Sequence, residues 1–245
     1  MFEVFKKEHV LIAHRGLRSL YPENTLIAFE KAIKHFDMIE FDVQYTKDFE
    51  PVIFHDTYIN KKTNINKKIK ISDLSFEEVK KLDNVSWFIK SNPFNEDLDY
   101  RFLNSLKKEA IPSLDEVLSF ITDNNIFANL EIKMPYSKNI LEDIKKRVVK
   151  FKLKDQVIIS SFSLEYIKEL KGFYKAALFD KKVTLKEILK YNLDAFHINK
   201  ENFSKNLTLK LLEKDIVTNV YTVNDKKEIE NLFKNGVKGI FSDIL

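Results

Sequence analysis

Nine short apolar runs, each closed by a polar or turn-forming residue, recur along this chain, and stretches of helical period lie between most of them. The runs fall at 10–14, 38–43, 52–55, 127–132, 157–160, 176–179, 195–198, 217–223 and 239–241. The intervening stretches at 25–36, 114–121, 140–151, 164–170, 185–191 and 226–235 repeat apolar residues every three or four places. That spacing gives a helix one buried face. In the first of them, Leu26, Phe29, Ala32 and Ile33 share it. Strands alternating with helices imply a parallel sheet, because each return to the starting edge needs a crossover that covers the sheet.

Nine runs is one too many for an eightfold barrel, and spacing identifies the extra one. Only eight residues, 44–51, separate Val43 from Val52. A parallel crossover needs about a dozen or more, so this connection is expected to be an antiparallel hairpin turning near Asp48 and Phe49. The other eight runs then close a (β/α)8 barrel, which at about 250 residues matches a chain of 245. The hairpin also brings His55 back to roughly the level of Asp42. Residues 56–110 break the alternation and are too long for a barrel loop. They are expected to form an inserted cap segment with a small core, within one domain spanning 1–245.

Charge and composition exclude several functions. The 41 basic and 37 acidic residues leave a net +4, too little to indicate nucleic acid but suited to an anionic substrate. There are no cysteines, hence no disulfides and no thiolate metal ligands. No run reaches the roughly 18 apolar residues of a membrane span, and "MFEVFKKEHVLIAHRG" has no leader-like apolar core. The expectation is a cytoplasmic protein without stable membrane insertion.

Functional groups in a parallel barrel gather at the C-terminal ends of its strands. Read in order, those ends offer His14, Arg15 and Gly16, then Glu40 and Asp42, then Glu131 and Lys133, with His55 and Asp56 from the hairpin. Glu40 and Asp42 are two apart and share a strand face. With Ile39, Phe41 and Val43 against the helices, that face is the interior. Glu131 and Lys133 repeat the pattern beside Leu130 and Ile132. Three carboxylates in one cavity repel unless a cation bridges them or basic neighbours such as Arg15 and Lys133 pair with them. An all-oxygen set suits a hard ion, Mg²⁺ or Ca²⁺.

His14 and His55 end apolar runs at the mouth that holds the acids, and two imidazoles can divide the work of base and acid. His9, His35 and His197 lack that setting and read as structural. Arg15 offers a planar fork for phosphate oxygens, and Gly16 permits positive φ or close backbone approach. Pro22-Glu23-Asn24-Thr25 reads as a helix start, with Asn24 or Thr25 as the cap and Glu23 near the positive end; the other use of Glu23 is to support the site. "KKTNINKKIK", residues 61–70, holds five lysines and no acid. It is a solvated loop that can also draw an anion inward.

At these residues the chain resembles the glycerophosphodiester phosphodiesterase family. "AHRG…PENT", "IEFDVQYTKD…PVIFHD", "IPSLDEVL", "LEIK", "SSF", "VYTVND" and "GVKGIFSD" stand in that family's order and spacing. The resemblance implies a TIM barrel that binds one divalent cation, Mg²⁺ or Ca²⁺, through Glu40, Asp42 and Glu131. It implies His14 and His55 as the acid/base pair and Arg15 and Lys133 as phosphate ligands. The implied substrate is a small glycerophosphodiester such as glycerophosphocholine, cleaved through a cyclic phosphate to sn-glycerol 3-phosphate and an alcohol. Phe49 stands where the family usually has a turn glycine, Lys61 where arginine is common and Tyr221 where tryptophan is common. Two other readings are a phospholipase C- or D-like enzyme on intact lipid, and a catalytically silent binding paralogue.

Overall fold

Each of the nine apolar runs is a strand, and eight of them close a barrel. The computed structural model describes residues 1–244. Among them the strands are β1 (Val10–Ala13), β2 (Met38–Tyr45), β3 (Pro51–Ile53), β4 (Phe127–Ile132), β5 (Val157–Ser161), β6 (Lys175–Phe179), β7 (Ala195–Asn199), β8 (Val217–Tyr221) and β9 (Gly239–Ser242). β1 lies parallel to β2 on one side and to β9 on the other, and β2 continues through β4 to β9. β3 pairs antiparallel with the end of β2, Val43 facing Ile53. The Phe54 N–H donates to the Asp42 carbonyl at 2.9 Å, so His55 arrives beside the end of β2.

The helices are α1 (Leu26–Ala32), then α2 (Phe76–Val79), α3 (Ser86–Ser91) and α4 (Tyr100–Ser105) within residues 56–110. The outer ring continues with α5 (Leu114–Asn124), α6 (Lys138–Lys150), α7 (Leu164–Glu169), α8 (Leu185–Ile188), α9 (Lys205–Leu212) and α10 (Lys226–Lys234). Most outer helices start at a side chain that accepts an orphan N–H: Thr25, Ser113, Ser137, Thr184, Ser204 and Asp225. Ser113–Glu116 and Thr184–Glu187 are reciprocal capping boxes. Periodicity missed α9, where Leu207, Leu209 and Leu211 alternate as they would in a strand. Leu209 and Leu212 stay 44% and 45% exposed, so its apolar residues do not mark a single face. The Ser204 cap and the crossover between parallel strands make it a helix.

Alternation along the strands sorts two cores. Ile39, Phe41, Val43, Leu130 and Ile132 point outward and pack with Val117, Leu118 and Ile121 of α5. Ile12, Met38, Ile158, Ala176, Ala195 and Val217 point inward, where they meet Phe2 and Phe5. Both phenylalanines are essentially unexposed, and their turn (Glu3–Lys6) plugs the barrel floor. A filled floor leaves only the C-terminal mouth free for a site.

A third cluster joins β3 to the segment 56–110 through Val52, Phe54, Ile59, Ile71, Val79, Leu82 and Ile111. Within that segment Phe88 is buried, whereas Tyr100 is 78% exposed. No described helix is long and apolar enough to cross a membrane.

Candidate active site

The chain reverses sharply where β1 ends. Arg15 has φ +57 and Gly16 φ +83, both in the left-handed region. A Cβ on Gly16 would also lie 2.8 Å from the Ala28 Cβ, so only glycine lets the turn rest on α1. This bend aims the Arg15 N–H at Glu40, donating to Oε2 at 2.8 Å. A non-glycine residue held at positive φ is strain the surrounding contacts must sustain, as is common at functional sites.

One cavity of about 190 Å³ at the barrel mouth is lined by His14, Arg15, Glu40, His55, Glu131 and Lys133. Phe162, Leu178, Tyr221, Thr222 and Phe241 complete its wall. Glu40, Asp42 and Glu131 each offer an oxygen within 4.8 Å of the other two, and all three are buried. A cavity near 480 Å³ at the opposite end, around residues 170–175, contains no histidine in its lining.

The three acids are not equally served by their basic neighbours. Arg15 Nε lies 3.3 Å from Asp42 Oδ2, and Asn24 Nδ2 donates to the same oxygen at 2.9 Å. Burial would raise the Asp42 pKa, but Arg15, His55 and Lys133 outweigh it and hold the carboxyl below its usual value. Lys133 donates to Glu131 Oε1 at 2.8 Å. Burial and the Asp42 charge still leave Glu131 above its ordinary range. Glu40 is pushed up furthest, by burial and then by Asp42 and Glu131.

Ion pairing with Arg15 and Lys133 therefore accounts for only part of the cluster. Glu40 Oε1 is buried with no hydrogen-bond partner. An orphaned acceptor beside two more carboxylates is an all-oxygen donor set that fits a hard divalent cation, which would keep all three ionised.

Both histidines at the mouth are held by a carboxylate. His14 Nδ1 lies 2.7 Å from Asp243 Oδ1, and His55 Nδ1 lies 2.8 Å from Asp56 Oδ1. Each acid accepts an Nδ1–H and so leaves Nε2 as the nitrogen free to take up or give a proton. Burial, then the neighbouring Arg15 charge, brings the His14 pKa down to about 4 despite the help of Asp243. Asp243 is held in place by Asn224, whose amide donates to Oδ2 at 2.9 Å.

Beneath Arg15, Glu23 binds three cations: Arg15 NH1 at 3.2 Å, Arg18 NH2 at 2.9 Å and Lys62 Nζ at 2.7 Å. Burial opposes ionisation there, but the three cations drive the Glu23 pKa far below its usual value. Arg15 and Arg18 each reach a second carboxylate as well, Asp42 at 3.3 Å and Asp243 at 3.4 Å, so Glu23 links the two guanidinium groups into one network under the mouth. Lys62 also sits 4.5 Å above the Trp87 ring, tying residues 56–110 to the mouth.

Every residue singled out from the sequence thus lies at this mouth: His14, His55, Arg15, Lys133, Glu40, Asp42 and Glu131. The four-residue helix start divides its labour differently from the capping reading. Of the four only Thr25 caps α1, accepting from the Ala28 N–H at 3.2 Å, while the distant Glu109 accepts from the Leu26 N–H at 2.6 Å. Asn24, at φ +56, turns inward to Asp42, and Glu23 holds the cations. Asp243, Asn224 and Arg18 were missed, since Asp243 meets His14 across 229 residues of sequence.

The profile of the Glycerophosphoryl diester phosphodiesterase family matches residues 14–245. A glycerophosphodiester phosphodiesterase from Bacillus altitudinis is 31% identical over 254 aligned positions, covering 95% of this chain and 94% of its own. One from Caldanaerobacter subterraneus subsp. tengcongensis is 31% identical, covering 96% and 93%. Among solved structures, an Oleispira antarctica phosphodiesterase in complex with the product sn-glycerol-3-phosphate superimposes with TM-score 0.77 at 25% identity, covering 96% of this chain and 92% of that one. A putative glycerophosphoryl diester phosphodiesterase from Silicibacter pomeroyi gives TM-score 0.85 at 18% identity, covering 100% and 95%.

Proposed function

The chain belongs to the glycerophosphoryl diester phosphodiesterase family, and from that membership and its mouth geometry we propose how it hydrolyses glycerophosphodiesters to sn-glycerol 3-phosphate and an alcohol. The observation that supports the scheme most strongly is the meeting of the Glu40, Asp42 and Glu131 cluster with His14 and His55 around one cavity at the barrel mouth. Glu40, Asp42 and Glu131 hold the divalent cation, Mg²⁺ or Ca²⁺, which when bound supplies Lewis-acid stabilisation of oxygen charge.

The chain's own groups do the rest. Arg15, fixed by Asp42 and Glu23, presents its guanidinium to the phosphoryl oxygens, and Lys133 adds a second positive charge. His14, kept neutral by burial and by Arg15, takes the proton of the glycerol 2-hydroxyl on Nε2. That oxygen forms a new bond to phosphorus as the bond to the alcohol oxygen breaks. His55, entering this step with both ring nitrogens protonated and Asp56 on Nδ1–H, delivers its Nε2 proton to the departing oxygen and is left neutral. Water then opens the cyclic phosphate with the roles exchanged, His55 accepting and His14 donating, and glycerol 3-phosphate leaves. Tyr221, Phe162, Leu178 and Phe241 wall the cavity and limit water around the reacting centre.

The test is turnover of a glycerophosphodiester panel, with glycerol 3-phosphate detected by glycerol-3-phosphate dehydrogenase. His14→Ala and His55→Ala should each lower kcat by ~10²–10⁴-fold, the range for loss of a general acid or base. Near-normal turnover in either variant removes the two-histidine scheme.

A further inference from the structure

The mouth cavity does not end at His55. A second, open groove of about 520 Å³ shares His55 and Lys133 with it and runs outward past Asp56 and Tyr58 to Lys61 and Lys68. His14 lines the mouth cavity and not the groove. The two histidines therefore divide the space. Only the one assigned above to protonate the departing alcohol opens onto the groove. A general acid must lie within hydrogen-bond reach of the oxygen it protonates, so the alcohol leaves over His55 and its remaining atoms occupy the groove.

The groove's charge is one-sided. Its sole acid, Asp56, accepts from His55 Nδ1 at 2.8 Å. Lys62 is turned away into the pair with Glu23. Among the described residues Lys61 and Lys68 have no carboxylate partner, and both are exposed. Two free ammonium groups thus face the space beyond the scissile bond, with Lys133 at its inner end.

We infer that this groove is a leaving-alcohol subsite for glycerophosphodiesters whose alcohol itself carries an anion, a phosphate above all. The inference rests on the hydrolase reading and on the assignment of His55 as the acid. A cationic alcohol such as choline meets two like charges there and is disfavoured. A phosphorylated alcohol exchanges part of its hydration for two ammonium groups that break no ion pair to receive it.

The experiment compares kcat/KM for glycerophosphoinositol and glycerophosphoinositol 4-phosphate, which differ by one phosphate on the leaving alcohol. Both release one equivalent of glycerol 3-phosphate, and both are measured with full-length, Mg²⁺-supplied protein. The wild-type protein should favour the phosphorylated substrate by about tenfold at low ionic strength, with the ratio shrinking as NaCl is added. K61E/K68E should abolish or invert the ratio. K67E/K70E carries the same charge change in the same segment but lies outside the groove lining, and it should retain most of the preference. A wild-type ratio at or below one overturns the subsite, and so does an equal loss in both double variants, which would reduce the effect to general attraction. Cleavage of both substrates with a flat ratio removes the subsite alone. Cleavage of neither removes the hydrolase reading and the subsite with it.

Discussion

Replacing Asp243 with asparagine removes one charge and almost no volume, and its consequence follows from the donors that surround the carboxylate. His14 Nδ1 and Arg18 NH1 face Oδ1 at 2.7 and 3.4 Å, and Asn224 Nδ2 faces Oδ2 at 2.9 Å. Asn224 cannot flip, because its Oδ1 accepts from the Asp243 N–H at 2.9 Å and from Ser242 at 3.2 Å. An amide at position 243 must therefore point its NH₂ at a donor. The only donor there that can become an acceptor is the His14 ring, by moving its proton from Nδ1 to Nε2. That tautomer has no lone pair for the glycerol hydroxyl, so the base is disabled while the pocket keeps its shape.

The expected loss in kcat is ~10²–10⁴-fold, with KM little changed. At ~1.36 kcal/mol per tenfold this is about 2.7–5.4 kcal/mol of transition-state stabilisation. Asp243→Ala imposes neither tautomer and should lose less kcat than the asparagine variant, although it leaves the Asn224 amide without its acceptor and melts lower. The assay is the coupled release of glycerol 3-phosphate, read beside a thermal melt. A kcat for Asp243→Asn within about threefold of wild type refutes the tautomer reasoning, as does an alanine variant slower than the asparagine one.

Three further outcomes concern stability. His197 is fully buried and its pKa is brought down to about 3 by burial, while that of His14 is about 4. Both lie below 6.5, so the unfolded chain binds more protons under that pH. Stability is complete above about pH 6.5 and falls towards pH 4 by up to ~1.4 kcal/mol per pH unit per histidine. The urea midpoint should drop between pH 7 and 5, and an unchanged midpoint contradicts the assignment of two neutral histidines. Phe49 holds φ +67 and packs on Tyr45 with ring centroids 4.9 Å apart. Phe49→Gly trades ~1–2 kcal/mol of left-handed strain for a ring contact of ~0.5–1.5 kcal/mol, so its melt should move little, whereas Phe49→Val should melt clearly lower. Gly239→Ala places a Cβ 2.5 Å from Asn219 Oδ1 inside the barrel and should cost ~1–3 kcal/mol in denaturant unfolding; a wild-type midpoint would show that Asn219 can move.

The barrel and the acidic cluster were legible because both depend on short-range periodicity. A spacing of two fixes the shared face of Glu40 and Asp42 whatever the rest of the chain does, and eight residues between Val43 and Val52 permit only a hairpin. What stayed illegible is set by distance in sequence or by competing local patterns. The Asp243–His14 contact joins the first strand end to the last, and nothing near either residue announces it. Glu23 and Asn24 carried a capping pattern as well as a functional one, and Thr25 with the distant Glu109 satisfied the cap, freeing the other two. Phe2 and Phe5 precede the first strand, and only barrel closure reveals them as its floor. α9 hid because its leucines alternate.

The whole account turns on one ion shared by Glu40, Asp42 and Glu131. Titration of the metal-stripped protein with Mn²⁺, the free ion followed by its EPR signal, measures that directly. The account predicts one site per chain in the wild type and its loss in Glu40→Gln and Glu131→Gln proteins that remain folded. Undiminished Mn²⁺ binding in those variants, or no saturable site in the wild type, would contradict it.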